Sequence, residues 1–511
     1  MLRKQQRRAD AALRLQGKGN GTIRPFHATQ KQPMWFLVAG AGCAALFFGS
    51  RYVLRAQERI RRKRAGLPLD DDEDADGSSP GRQTPAKRMT QILGVDFGTS
   101  NLRLSVAALQ GFAQTPSGGG SSIVNNAIQV IESADGLRAI PAAVAVDNGS
   151  VSVGVLAKAL LGRKPGYTGT ATRLLLENKS AAANSEEWDR FLETLPYKIN
   201  TKEGKDVELE LDGKTYSPEW AAEIMLDYIH SMAARSLGEY GYDDDGFPAI
   251  ISVPAGLSDA KRQVFERVAS SAGFQVITSL DEPIAALHAV ELSASEDEDD
   301  ASLQTLSAPG STIAVFDMGG YKSFITLLER DGRGSDSSSF KILESRSSSS
   351  VSGKIVDDLL FRQVVGKFHQ ENGIDLSIDH MASYRVLEAV ETAKIELSSR
   401  RNTDLNLPFI TADRTGAKHL VQKLSVYDLN RACESQVSQA KALCDEVLAT
   451  AGLKKQDVDL LVLIGGGVRS EPIREQLEKH FGKKAFSGRN FKPEEAVVIG
   501  AAEFGRRLAS E

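Results

Sequence analysis

The sequence predicts an α/β fold of two similar lobes that face a common cleft, preceded by a single membrane-spanning helix. Three observations predict it. Leu93–Ala107 (LGVDFGTSNLRLSVA) and Ala314–Leu328 (AVFDMGGYKSFITLL) share one grammar: an apolar run, an aspartate, a glycine-containing turn and a second apolar strand. Leu460–Gly467 (LLVLIGGG) has the pattern of a buried strand that ends in glycines and runs into a helix. Met34–Ser50 (MWFLVAGAGCAALFFGS) carries no charge; with Tyr52–Leu54 it reaches roughly 20 residues, enough to cross a bilayer.

Composition sets the outer limits. A chain of 511 residues, 41% hydrophobic and 25% charged, fits two or more globular domains. Its net charge of −5 argues against nucleic acid as the main partner. Cys43 lies in the apolar segment, and Cys433 and Cys444 fall on one predicted helix. Those two are about three turns, roughly 16 Å, apart, too far for a disulfide. With no disulfide framework and no zinc spacing, the chain suits a reducing compartment. The histidines are scattered and suggest neither a metal site nor a nucleophile triad.

Residues 1–33 are basic, with Arg3, Lys4, Arg7, Arg8, Arg14, Lys18, Arg24 and Lys31 against Asp10. Such a segment fits an organelle-targeting sequence and equally a basic tail. The apolar segment 34–54 has the Gly and Ala content of a membrane helix, with Trp35 and Tyr52 where interfacial aromatics belong. No clear cleavage site separates it from the basic run after it, which argues against a cleaved signal peptide. That run (Arg51, Arg55, Arg59, Arg61, Arg62, Lys63 and Arg64) outweighs the positive charge just before the span. The positive-inside rule then places the C-terminal bulk in the cytosol or the mitochondrial matrix. A mitochondrial outer-membrane anchor and a matrix-facing inner-membrane anchor fit equally; the endoplasmic reticulum is the third option. The tether 55–91 turns from basic to acidic and then, through Asp70–Arg88, to Gly, Ser and Pro.

Lobe one is expected over 92–308 and lobe two over 309–511. In the first hairpin Gly98 lets the backbone bend. The successive N–H groups and hydroxyls of Thr99 and Ser100 suit an anion, and Asp96 beside them suits a magnesium ion held through water. Ser258 is expected to cap a helix with the apolar stripe Val264, Phe265, Val268 and Ala272, ended by Gly273. The acidic stretch from Ser295 to Asp300 reads as a surface loop. So do the serine runs Ser337–Ser339 and Ser347–Ser350, which flank a strand at Phe340–Ser345. Residues 380–400 and 427–452 read as long helices. The helix after the glycines presents Ile473, Leu477 and Phe481 on one face, and its N-terminus suits the phosphate–ribose side of a nucleotide.

From about Ile92 to Leu508 the chain resembles the ATPase domain of the 70-kDa heat-shock chaperone family, within the actin and sugar-kinase fold. The most diagnostic stretch is Ile251–Ala286 (ISVPAGLSDAKRQVFERVASSAGFQVITSLDEPIAA). There VPA, the helix with Arg262, and DEP before a second helix fall at the family's spacing. This separates the chaperone branch from actins and sugar kinases. The resemblance implies a two-lobed actin-like fold with ATP or ADP and Mg2+ in the cleft, and protein partners of the co-chaperone kind. It carries Asp96, Gly98, Thr99, Ser100 and Asn101 onto the first phosphate turn, and Asp317, Gly319 and Gly320 onto the second. Asp96 and Asp317 would flank the metal. Glu282 and Asp317 would stand at the reacting end. Glu391, Lys394 and Ser398 match the helix at ribose and adenine, and Gly465, Gly466 and Arg469 the last nucleotide loop, in which Gly467 stands where the family usually has serine. Pro254 and Arg262 match the pair that relays nucleotide state to the surface.

Departures from the family fall on the γ-phosphate. Of a lysine–arginine pair, the arginine remains as Arg173, but the lysine that positions the attacking water is Thr172. The third glycine of the second turn is Tyr321, the family's threonine is Lys322 and its later aspartate is Phe324. A glycine–glycine–glutamate–aspartate run reads Ser352-Gly353-Lys354-Ile355. Losing one positioned group often costs ~3 kcal/mol, about 100-fold in rate. The preferred reading is therefore a membrane-anchored nucleotide switch with weak or absent hydrolysis. The alternatives are a nucleotide-free scaffold of a membrane assembly, and a slow ATPase in which Lys322 replaces the lost lysine. The chain ends soon after Gly500-Ala501-Ala502, so no peptide-gripping domain is expected in it.

Overall fold

The computed structural model describes residues 91–109, 128–178, 186–201, 206–237, 246–296, 301–331 and 340–510. The basic segment 1–33, the apolar segment 34–54, the tether up to residue 90, residues 297–300 of the acidic stretch and Ser337–Ser339 lie outside them. Among the described residues no helix is long and apolar enough to cross a membrane.

In lobe one, β1 (Gln91–Phe97) and β2 (Asn101–Ala108) form the expected hairpin. Helices α1 (Val155–Leu160) and α2 (Thr172–Glu177) follow, then β3 (Phe247–Val253), α3 (Asp259–Ser271), β4 (Phe274–Asp281) and α4 (Glu282–Ala294). In lobe two come β5 (Thr312–Met318), β6 (Ser323–Arg330), β7 (Phe340–Ser348), α5 (Gly353–Asn372) and α6 (His380–Glu396). A hairpin β8 (Asn402–Asp413) and β9 (Gly416–Ser425), helix α7 (Val426–Ala451), β10 (Leu460–Ile464), α8 (Glu471–Phe481) and α9 (Ala496–Leu508) complete it.

Each lobe is built on the same strand plan. The first sheet runs β4-β3-β1-β2 and continues into the short strand Gln129–Val130; the second runs β10-β5-β6-β7. In both, the aspartate strand pairs antiparallel with its hairpin partner and parallel with a strand from far along the chain. The register is the same too. Asp96 stands opposite Arg103 in one hairpin, and Asp317 opposite Phe324 in the other.

Several local expectations are refined. Ser258 has the extended backbone of an N-cap, and its carbonyl accepts the first helical bond of α3 from the Arg262 N–H at 3.0 Å, but its side chain makes no capping bond. Ser347 and Ser348 lie in β7, paired with Phe324 and Ser323, and not in a loop. Serine has weak strand propensity, and the ladder to β6 overrides it. Cys433 and Cys444 are free and buried on α7.

The chain order of the lobes is crossed at the centre. Helix α4, from lobe one, packs its Ala286, Leu287 and Val290 with Ile313, Val315 and Leu328 of the second sheet. Helix α9, from the end of lobe two, packs Ala501 and Ala502 with Ile92, Ala107 and Ile250 of the first. The two helices cross with backbone in contact. A Cβ on Gly500 would overlap the Ala285 carbonyl, and one on Gly94 of β1 would meet the Val498 carbonyl and Ala502 N–H. The buried Ser105 hydroxyl donates to the Val498 carbonyl at 2.6 Å and fixes the helix on the sheet. Gly500→Ala is therefore expected to cost roughly 1–3 kcal/mol through overpacking. A thermal melt of the variant checks it, and an unchanged melting temperature would show that the crossing has slack.

Candidate functional site

The two aspartate turns close in the same way. The Gly98 N–H donates to the Asn101 carbonyl at 3.0 Å, and the Gly319 N–H donates to the Lys322 carbonyl at 3.0 Å. The turns touch: a Cβ on Gly320 would run into the Ser100 hydroxyl. Around them lies a cavity of about 380 Å³, at the lower end of the about 300–1,000 Å³ typical of small-molecule sites.

Most of the residues expected from sequence line this cavity: Asp96, Gly98, Thr99, Ser100, Asn101, Glu282, Asp317, Gly319, Gly320, Lys322, Gly353, Glu391, Lys394, Gly465, Gly466 and Gly467. Ser398 and Arg469 line a smaller cavity that shares Gly353, Lys394 and Gly466 with it. Pro254 and Arg262 stand outside both cavities. Pro254 is buried, and the Arg262 guanidinium donates to Asp281, the residue before Glu282, at 2.5 Å. Gly465 has a φ of 84°, and a Cβ there would strike the Asp317 carboxylate, so the last loop comes this close only as glycine.

On the α6 side, the Lys394 ammonium donates to Asp357 at 2.9 Å and to the Gly353 carbonyl at 3.2 Å. The Lys158 ammonium on α1 donates to Glu391 at 2.6 Å, and the Tyr384 hydroxyl lies 2.8 Å from the Lys158 carbonyl. These contacts tie lobe one to lobe two across the cleft. The first amides of α5 are already used. Gly353 N–H donates to the Gly319 carbonyl at 3.0 Å and Lys354 N–H to the Gly320 carbonyl at 2.8 Å.

The other end of the cleft is governed by buried charge. Arg173 reaches Glu282 at 2.7 Å, Glu177 at 3.0 Å and the Phe97 carbonyl at 3.1 Å. Burial alone would lower the Arg173 pKa, but Glu282 and then Glu177 raise it above its ordinary value. Burial pushes the Asp96 carboxyl up to about 6, although Arg103, whose guanidinium lies 3.5 Å away, draws it down. Burial, and then the charges of Glu282 and Asp96, push Asp317 up to about 7. Thr172 is buried, and its hydroxyl has no hydrogen-bond partner among the described residues. Tyr321 turns from the second hairpin into lobe one, where its ring meets Phe191 edge-on at 6.2 Å and packs on the first core. The Lys322 ammonium lies 5.1 Å from the centre of the Phe324 ring.

A nucleotide suits this arrangement: the cavity has the volume, Gly466 opens onto space a Cβ would occupy freely, and Lys394 and Glu391 offer polar atoms. A divalent ion suits it less well. Asp96 already faces Arg103, and Glu282 faces Arg173. Sequence reasoning missed Arg103, Lys158, Tyr384 and Asp357. The signal for Arg103 was available, because closing the hairpin at Gly98–Ser100 places residue 103 across from residue 96.

A family model described as Hsp70 protein matches residues 92–510. The chain belongs to this family, whose members bind ATP or ADP with Mg2+ and work with protein co-chaperones and substrates. The match covers both lobes and the crossed helices. Because Arg173 holds two buried carboxylates, Arg173→Ala is expected to destabilise the fold by about 3–5 kcal/mol. Urea unfolding reads this directly. A loss below about 1 kcal/mol, the worth of an exposed pair, would mean the carboxylates find other partners.

Proposed function

We propose that the chain is a membrane-anchored, nucleotide-dependent switch of the chaperone family. It binds ATP or ADP between the lobes and hydrolyses ATP slowly or not at all. The lobe arrangement is then read by a protein partner, a co-chaperone or a membrane complex. One observation carries this reading: the adenosine side keeps its polar residues, while Tyr321 and Phe324 bring apolar bulk to the lining of the reacting end. Tyr321 extends into lobe one, and Phe324 lies beside Glu282 and Asp317.

The chemistry explains why binding survives better than turnover. Phosphoryl transfer depends on positioning and on charge stabilisation. Here Gly98, Thr99, Ser100, Gly319 and Gly320 would hold phosphate oxygens, and Glu391, Lys394 and the Gly465–Gly467 loop the nucleoside. No amine stands at Thr172 to orient a water. Lys322, from the other lobe, rests on the Phe324 ring, which supports a packing role rather than a replacement for that amine. Pro254 and Arg262 would pass lobe closure outward through the Arg262–Asp281 contact.

Segment 34–54 would anchor the switch as a single span. Its basic C-terminal flank favours a mitochondrial membrane, outer facing the cytosol or inner facing the matrix, over the endoplasmic reticulum.

The test is calorimetry of the full chain with ATP and with ADP in the presence of magnesium, with phosphate release followed in the same sample. Binding without release above background is expected. At nucleotide concentrations near 100 Kd the fold should gain about 2.7 kcal/mol by mass action. No binding and no change in melting temperature would leave the scaffold reading. Lys322→Ala should leave phosphate release where it is in the parent chain; a clear fall would establish the slow-ATPase alternative.

A further inference from the structure

We propose that Arg103 is the built-in counter-cation of this cleft, and that the chain binds a nucleoside polyphosphate without a divalent metal ion. The inference rests on the nucleotide reading above and specifies how the phosphates are neutralised.

The starting point is the shared register of the two hairpins. The residue across from the turn aspartate is Arg103 in lobe one and Phe324 in lobe two. A cross-strand pair places the two side chains on one face of the sheet, a few ångströms apart. Arg103 therefore stands on the Asp96 side of β2, and it lines the cleft. Its side chain is only 14% exposed and lies 3.5 Å from a carboxylate that is 10% exposed. A mostly buried guanidinium is costly unless its donors are used. Among the described residues its one hydrogen bond is to Asp96. An arginine has five N–H groups, so most remain for oxygens in the cleft. Its planar fork suits phosphate oxygens in pairs, which a point charge such as lysine does not match.

The acids argue the same way. A divalent ion bound through a phosphate chain usually takes one or two free carboxylates and keeps its waters. Of the three acids nearest the turns, Asp96 is engaged by Arg103 and Glu282 by Arg173. Asp317 alone forms no ion pair among the described residues. A divalent ion placed here would sit beside a fixed positive charge. Arg103 supplies the neutralising charge from the fold, where no ion has to be captured.

The experiment is ADP binding to the full chain by calorimetry, once with excess magnesium and once with EDTA. The affinity is expected to agree within about threefold between the two conditions. Arg103→Ser should weaken binding in EDTA by about tenfold or more and make it magnesium-dependent; Arg103→Lys should retain part of the metal-free affinity. Melting curves without ligand verify that each variant is folded, and the comparison on the parent chain needs no variant. Parent-chain binding that falls about tenfold or more in EDTA overturns the inference and leaves the nucleotide reading standing, as does Arg103→Ser binding like the parent in EDTA. Absence of ADP binding in both conditions overturns the two together.

Discussion

The crossing of α4 and α9 joins two separate sheets into one cleft. Gly500 lies against the Ala285 carbonyl, and Gly94 lets α9 approach the backbone of β1. Backbone on backbone leaves no side chain to compress or change rotamer, so the relative position of the sheets is held tightly. Each helix packs on the sheet of the other half of the chain. The ends of β1 and β5 therefore converge, and both aspartate turns arrive at one cavity. The touching of Gly320 and Ser100 and the bridge from Lys158 to Glu391 depend on that placement.

Within the cleft, charge decides what the fold retains from its family. Arg173 pairs with both Glu177 and Glu282 away from water. Asp96 is matched by Arg103 at its own level of the sheet. These pairs stabilise the empty protein, and they also occupy groups that would otherwise attend a metal or a water. Tyr321 and Phe324 add apolar bulk at the same end.

Much of the site was legible because it is local. An aspartate before a glycine turn between alternating strands states its own geometry, and its second copy states the pairing of lobes. The strand before Gly465 and the buried face of α8 followed from periodicity in the same way. Local signals failed where pairing overrides propensity, as in the serines of β7, and at Ser258, whose hydroxyl makes no capping bond. The use of the α5 amides by the second turn had no sequence signal, because their acceptors are carbonyls, which every residue carries.

By itself the sequence determined the α/β class, the two aspartate hairpins and the glycine loop, because each is a matter of residue type at short spacing. Only the tertiary structure decided that α4 and α9 exchange lobes, that Tyr321 of one lobe packs into the other, and that Lys158 meets Glu391. Those contacts join residues far apart in the chain, and their geometry is set by backbone packing at the crossing, which no local pattern encodes. Arg103 lies between the two cases. Its register with Asp96 is local arithmetic, but its place in the lining of the cleft, beside residues of both lobes, is decided by the tertiary structure.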